Sequence, residues 1–310
     1  MIAKTVSPGR WIYRRSSRGE FHALWEPSIM ARIPDEMIGC AFFLYPSHSD
    51  AEYGNAIGAS GFFVGIDWAG TELRRHLYAV TNKHCILQCR DEVVIRATKS
   101  DGTLDYIESD PVDWHPSPTH DISVLPISPA KAALFRNISD GLFVTPTDFE
   151  PDANSTTCLG PGDDVFMIGR FTPHDRKATN HPSSRFGNLS MVVAPIKHPG
   201  GYDQESFAVE MRSISGYSGS PVFIYWGFGG NHLHGIKRSM VTSFLGLLGV
   251  DWGHIPMRLP VLNSQGNPLP NGEYVKSHTS MSGVVPAWRL KELLDSDRFK
   301  EQRMQDESSE

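Results

Sequence analysis

Three residues in the order histidine, aspartate, serine have the chemistry needed for nucleophilic catalysis. His84 lies in AVTNKHC (79–85), Asp121 in THDISVL (119–125) and Ser218 in SGYSGSPVF (215–223). A serine hydroxyl becomes a good nucleophile only when a base within hydrogen-bond reach takes its proton. That base must in turn be held in one tautomer by a buried acceptor. The pattern predicts Ser218 as nucleophile, His84 as base and Asp121 as the orienting acid.

The glycine-rich turn around Ser218 indicates how the developing negative charge is stabilised. A tetrahedral intermediate needs preorganised backbone N–H donors, and the tight GYSG turn predicts that Gly216 and Ser218 supply them. An α/β-hydrolase is the other class with a serine in such a turn. Its motif is GxSxG before a helix, in the chain order serine, acid, histidine. Here His84 precedes the serine and the strand-like PVFIYW follows it, so this class is excluded.

The segments around these motifs have the pattern of β-strands. Runs rich in β-branched and aromatic residues alternate with Gly, Pro, Ser and Asp clusters, without the intervening 10- to 15-residue helical patterns of a parallel α/β sheet. The predicted strands are residues 37–45, 58–68, 75–82, 92–98 and 121–127, then 141–145, 163–171, 188–196, 206–214, 221–226, 239–252 and 279–286. Residues 129–138 read as a short helix or an irregular connection, and 252–273 as a loop. A helical pattern follows Pro286, with an apolar stripe that includes Leu290 and Leu294.

Composition narrows the class of protein. Of the 310 residues, 40% are hydrophobic and 21% charged, which is typical of a soluble globular protein. The net charge of -6 disfavours nucleic acid as a partner. No run reaches the roughly 18 apolar residues of a membrane helix, and the first residues contain no apolar secretory segment. The 4 cysteines are sparse, which favours a reducing compartment. We therefore expect a cytoplasmic protein without a membrane partner.

The motifs resemble those of a known family. TNKHC, DISVL and GYSGSPV are similar to the histidine, aspartate and serine motifs of trypsin-like peptidases, most closely the bacterial glutamyl-endopeptidase and high-temperature-requirement branches. GASGFFV, GDDVFMIGR and SGVVPAWRLKELL resemble further family segments, so the resemblance covers about residues 37–297. It implies an all-β, chymotrypsin-like fold of two six-stranded antiparallel β-barrels with a C-terminal α-helix. The active site then lies in the cleft between the barrels.

The resemblance also implies a domain plan and an activity. The expected domains are an N-terminal extension (1–35), a first barrel with His84 and Asp121 (36–138), a second barrel plus helix with Ser218 (139–297) and a tail (298–310), without a PDZ module. The implied activity is serine endopeptidase action on protein or peptide substrates through an acyl-enzyme, with no cofactor. A latent enzyme, or a non-catalytic binding or regulatory module on the same scaffold, is the alternative.

Two positions depart from the family pattern. Digestive members carry an acidic residue directly before the nucleophile, where it binds the N-terminal amine freed by zymogen cleavage; this chain has Tyr217. We therefore expect control by a partner, a ligand or the N-terminal extension instead. Cys85 lacks the usual partner cysteine in the preceding strand, which predicts a reduced, buried thiol. A zinc site of His84, Cys85 and Cys89 has poor ligand spacing, so no metal is predicted.

By resemblance, the substrate pocket is formed just before Ser218 and along LGLLGVD (245–251). The pocket residues are predicted to be Arg212, Ser213, Leu248, Gly249 and Asp251. Arg212 would attract an acidic substrate side chain and Asp251 a basic one. Glutamyl endopeptidases have a histidine in this strand, and LGLLGVD has none, so specificity for glutamate is not expected. In the family this strand also supplies a hydroxyl that supports the aspartate, and Gly249 cannot do so.

Overall fold

The chain contains two compact units, residues 1–34 and 35–310. The computed structural model describes residues 9–15, 21–27, 33–55, 58–150, 158–171, 180–212, 215–226 and 244–309. The first unit contains a two-stranded antiparallel sheet of β1 (Gly9–Arg15) and β2 (Phe21–Pro27). Among the described residues, every helix is too short or too polar to cross a membrane.

The second unit begins with an eight-stranded sheet. Its strands are β3 (Ala41–Tyr45), β4 (Ala59–Trp68), β5 (Thr71–Thr81), β6 (Val93–Thr98), β7 (Leu104–Ser109), β8 (His115–Pro116), β9 (Ser123–Ile127) and β10 (Ile138–Ser139). They are ordered β7-β6-β3-β4-β5-β9-β8, and β10 pairs in parallel with β4. Because β8 and β10 have only 2 residues each, six longer antiparallel strands form the body of the sheet. Its apolar face includes Phe42, Phe63 and Trp114.

The remaining strands form a closed antiparallel barrel. They are β11 (Asp164–Arg170), β12 (Pro182–Lys197), β13 (Asp203–Glu210), β14 (Pro221–Trp226), β15 (Phe244–Pro260) and β16 (Tyr274–Pro286). Their order around the barrel is β11-β12-β13-β16-β15-β14. The predicted all-β class with two largely antiparallel sheets is confirmed, and the second sheet closes into a six-stranded barrel.

The helices are few and mostly short. They are α1 (Asp35–Gly39), α2 (His48–Tyr53), α3 (Lys83–Gln88), α4 (Pro129–Ala132), α5 (Ala287–Leu294) and α6 (Asp297–Ser308). The predicted C-terminal helix is thus a pair, α5 and α6. Leu290 and Leu294 are buried, as the apolar stripe indicates. Phe299 of α6 packs edge-on against Tyr78 of β5, which fixes the end of the chain to the first sheet.

Two predicted elements are wrong. Residues 141–145 do not form a strand, because the Ser139 hydroxyl accepts from the Gly141 N–H and turns the backbone; only Phe143 forms a bridge, to Leu247. Residues 252–260 of the predicted loop 252–273 are strand instead, since β15 continues to Pro260, whereas 261–273 connect β15 to β16, which begins at Tyr274 rather than at residue 279. Gly253 and Pro256 coincide with register shifts in the β15–β16 ladder instead of ending it. The predicted strand segment 239–243 lies outside the described residues.

Candidate active site

Strand pairing places His84 beside Asp121. β5 ends at Thr81 and His84 follows in the first turn of α3, whereas Asp121 precedes β9, the neighbour of β5 in the sheet. His84 Nδ1 lies 2.6 Å from Asp121 Oδ2. The His84 backbone N–H donates to Asp121 Oδ1 at 2.9 Å. This is the base–acid geometry that the triad chemistry requires.

Asp121 is anchored from both sheets of the second unit. Its side chain is only 1% exposed. Asn82 Nδ2 donates to the Asp121 carbonyl at 2.9 Å, and the Asp121 N–H donates to Oε1 of Gln204 in β13 at 2.9 Å. The backbone of Asp121 is therefore held in place beside His84.

The surroundings move both pKa values in the directions expected of an ion pair. Burial alone would raise the pKa of Asp121, but hydrogen bonds from His198 and His84 outweigh it and hold that pKa well below its usual range. Burial alone would lower the pKa of His84, but the bond to the Asp121 carboxylate outweighs it and raises that pKa above its ordinary value. His84 thus loses its proton, and becomes able to act as a base, only at a higher pH than free histidine.

The turn that carries Ser218 is fastened to the first sheet. The Ser60 N–H donates to the Ser218 carbonyl at 2.9 Å, and Ser60 Oγ donates to the Gly216 carbonyl at 2.6 Å. Gly219 has φ +86, and a Cβ there would lie 2.1 Å from the Ser60 carbonyl oxygen and 2.3 Å from Thr81 Oγ1. Only glycine fits this approach. The turn therefore packs against the end of β5, close in sequence to the base.

The same turn presents two amides suited to an oxyanion hole. Gly216 has φ +103. Its carbonyl points to Ser60, and within the described ranges the N–H groups of Gly216 and Ser218 donate to no protein acceptor. Unpaired, fixed N–H groups beside the nucleophile are what a negative oxygen needs. Their role in the reaction stays a prediction.

Ser218 and His84, the predicted nucleophile and base, are not hydrogen-bonded to each other within the described residues. No hydrogen bond joins Ser218 Oγ to His84 in the part of the chain that the structure describes. Ser218 is partly exposed. The second ring nitrogen of His84, Nε2, lies 3.5 Å from Cys85 Sγ. Nucleophile–base bonds are often long without substrate. The triad contact at Ser218 therefore stays a prediction, whereas its His84–Asp121 half is present.

Tyr217 and Cys85, the two positions that depart from the family pattern, are both buried. Tyr217 is fully buried; its hydroxyl bonds to Ser183 Oγ, and the Arg185 guanidinium lies 4.7 Å from its ring centre. A packed aromatic ring thus occupies the position where digestive members have an acidic residue. Cys85 is a free, buried cysteine, as predicted.

The predicted pocket residues lie in different environments. Arg212 is exposed and Ser213 lies outside the described residues. Leu248 and Asp251 are fully buried, and Asp251 Oδ1 accepts from the Ser282 hydroxyl. A side chain at Gly249 would collide with the Val285 carbonyl oxygen, at 1.9 Å. In this conformation Asp251 presents no charge to solvent, and the pocket assignment stays a prediction.

Sequence reasoning missed His198, whose Nε2 lies 3.3 Å from Asp121 Oδ2. No local pattern marks this residue, which is distant from Asp121 in sequence. Ligand atoms of His84, Asp121 and His198 lie within 4.8 Å of one another, a set of residue types that can hold a metal ion.

Comparison with known proteins identifies the family. A model of the trypsin-like peptidase domain matches residues 59–225, more than half of the chain. The chain belongs to the trypsin-like peptidase domain family. The matched segment of this trypsin-like chain contains His84, Asp121 and Ser218. The comparison with curated protein sequences found no match to the chain.

Several solved structures are similar in outline. The MamO protease domain of Magnetospirillum magneticum is 15% identical, with a TM-score of 0.49 over 84% of this chain and 98% of its own. An inactive mutant form of Rv3671c from M. tuberculosis is 12% identical, with a TM-score of 0.43 over 84% and 87%. Thermobifida fusca Protease A is 13% identical, with a TM-score of 0.35 over 83% and 94%. Membership in the family rests on the sequence match and not on these distant likenesses.

Proposed function

We propose that this trypsin-like domain is a serine endopeptidase. In this mechanism His84 removes the Ser218 proton, Ser218 Oγ attacks the peptide carbonyl, and the N–H groups of Gly216 and Ser218 stabilise the oxyanion. His84 then protonates the leaving amine, and water hydrolyses the acyl-enzyme. The observation that carries the proposal is the buried Asp121 carboxylate, bonded to His84 Nδ1 at 2.6 Å. That bond leaves Nε2 of a neutral His84 free to accept a proton.

A fluorophosphonate probe tests the proposal without knowledge of the substrate, because it phosphonylates only an activated serine, whose Oγ attacks the phosphorus and displaces fluoride. We expect intact-mass analysis to show one label on the wild-type chain and none on Ser218→Ala. Ser215→Ala is the matched control, since Ser215 is an exposed serine of the same turn. This variant should be labelled at Ser218 at the wild-type rate. A label that persists in Ser218→Ala, or a wild-type chain that is never labelled, would contradict endopeptidase chemistry at Ser218.

A second candidate is a latent peptidase that a partner or ligand switches on. The resting position of His84 favours it, because Nε2 lies beside Cys85 Sγ and makes no bond to Ser218. Labelling of Ser218 in a lysate of the native source, but not in the isolated chain, would indicate latency. Equal labelling rates in both would exclude it.

A further inference from the structure

Asp121 is contacted by a second imidazole besides His84. His198 lies in the turn between β12 and β13, and its side chain is 7% exposed. Its Nε2 lies 3.3 Å from Asp121 Oδ2, the same oxygen that faces His84 Nδ1. The rings of His84 and His198 have centres 6.0 Å apart, so the carboxylate lies between two imidazoles.

Hydrogen bonding fixes which nitrogen of His198 carries the proton. The Gly200 backbone N–H donates to His198 Nδ1 at 3.0 Å, which requires a lone pair on Nδ1. A neutral imidazole has one donor and one acceptor nitrogen, so Nε2 must carry the hydrogen and donate it to Asp121. The same geometry argues against metal binding by these residues, because a metal would need the lone pair of Nε2. Nε2 would have that lone pair only if the proton moved to Nδ1, which would break the hydrogen bond from the Gly200 N–H.

The His198 ring is held firmly enough to act as a fixed donor. The His198 N–H donates to the Tyr202 carbonyl at 2.8 Å, and the Gly201 N–H donates to the His198 carbonyl at 2.9 Å. Its ring stacks on Tyr202 with centres 4.6 Å apart and contacts Trp252 with centres 4.9 Å apart. A donor with a locked ring loses little freedom when it binds its acceptor.

We infer that His198 is a positioning residue that holds Asp121 in the orientation in which its carboxylate faces His84. It gives Asp121 Oδ2 a second donor besides His84 Nδ1. The inference deepens the proposed function and rests on it for its catalytic meaning. Because both imidazoles use Oδ2, His198 also limits how strongly that oxygen can stabilise the charged form of His84.

The tautomer of His198 can be measured on the unmodified chain. Long-range ¹H–¹⁵N spectra of histidine-labelled protein distinguish Nε2–H from Nδ1–H, and we expect Nε2–H for His198. The opposite tautomer, or a change in the His198 signals on addition of one equivalent of Zn²⁺ alone, would overturn the inference in favour of a metal site. This readout does not depend on peptidase activity.

Two variants separate hydrogen bonding from packing. His198→Phe keeps a ring between Tyr202 and Trp252 but removes the donor, whereas His198→Gln keeps an N–H at about the same reach. We expect His198→Phe to slow fluorophosphonate labelling of Ser218 about tenfold or more, because a bond to a charged acceptor is lost. His198→Gln should stay within about threefold of wild type.

A titration distinguishes this role from a purely structural one. The titratable groups that face the His84–Asp121 pair come from two elements. Cys85 lies on the helix of His84, and His198 and Tyr202 lie next to Asp121. Loss of the His198 donor leaves Oδ2 freer to stabilise protonated His84. The pKa of His84, followed by NMR, should therefore rise in His198→Phe and remain unchanged in His198→Gln. His115→Phe, a ring replacement against Phe299, is the control and should change neither readout.

The outcomes separate the inference from the proposed function. A loss in His198→Gln with none in His198→Phe would show that the ring acts by packing alone. Equal losses in both variants, with the pKa of His84 unchanged in both, would show that the Nε2–H donor is not responsible, and either result would overturn the inference. A wild-type chain that the fluorophosphonate never labels would contradict the endopeptidase proposal. The tautomer and the His84 titration would still decide the role of His198 in that case. Because the tautomer is read on the wild type, a variant that fails to fold does not remove the test.

Discussion

Replacement of Asp121 by asparagine tests the base geometry most directly. The carboxylate accepts from His84 twice, from Nδ1–H at 2.6 Å and from the backbone N–H at 2.9 Å. Asparagine has nearly the same shape but only one acceptor oxygen. If that oxygen stays on the backbone N–H, the amide NH₂ group faces both His84 Nδ1 and His198 Nε2, and His198 loses its acceptor. Nδ1 must then become an acceptor, and the ring proton moves to Nε2.

The expected loss is much larger than the value of one hydrogen bond. With its proton on Nε2, His84 cannot accept the proton of Ser218. The corresponding change in the family's standard example lowers kcat by about 10⁴. At about 1.36 kcal/mol per factor of ten, this is about 5.5 kcal/mol of transition-state stabilisation. One bond to a charged group contributes only about 1.5–3 kcal/mol. The tautomer, rather than the lost bond, therefore accounts for most of the effect.

The assay is the rate at which a fluorophosphonate phosphonylates Ser218, measured by intact mass for Asp121→Asn and wild type. Asp203→Asn is the matched control, since Asp203 is an exposed carboxylate of β13 that pairs with Lys197 at 3.4 Å. We expect the labelling rate of Asp121→Asn to fall by about 10³ or more and that of the control to stay within about twofold. An Asp121→Asn rate within about tenfold of wild type would refute the orienting role. So would an NMR spectrum in which its His84 keeps the Nδ1–H tautomer.

The remaining predictions concern pH and the Ser218 turn. Because the pKa of His84 is raised and only its neutral form is a base, the fluorophosphonate labelling rate should fall with decreasing pH around a pKa above the ordinary histidine value of about 6.5. That pKa should move back down in Asp121→Asn, and a wild-type value at or below about 6.5 would contradict the ion pair. Gly219→Ala should reduce the free energy of unfolding by about 2–4 kcal/mol, from backbone strain at positive φ plus the clash with Ser60. Gly266→Ala, at a similar φ but with nothing within 4 Å, should lose only about 1 kcal/mol in the same urea titration; equal losses would contradict the tight packing of the turn.

Local sequence patterns were sufficient for the class of fold and for part of the site. Alternating apolar runs broken by Gly, Pro and Asp predict antiparallel strands, since side chains in a strand alternate between two faces. For the same reason His84 could be placed just after one strand and Asp121 at the start of another, but the pairing of these two strands came from the structure. The patterns failed at residues 252–260, where Gly253 and Pro256 disturb the register of a long hairpin without ending the strand.

Contacts between distant segments depended on the tertiary structure. The bond from Ser60 to Gly216 joins the first sheet to the Ser218 turn, and the bond from His198 to Asp121 joins the β12–β13 turn to the start of β9. Neither pair has a sequence pattern, because such contacts depend on strand register and on the closure of the second barrel. The sequence by itself determined which residues could do chemistry and placed them at strand ends. Only the folded chain decided which donors hold Asp121 in place, because those donors come from strands and turns that are adjacent in space alone.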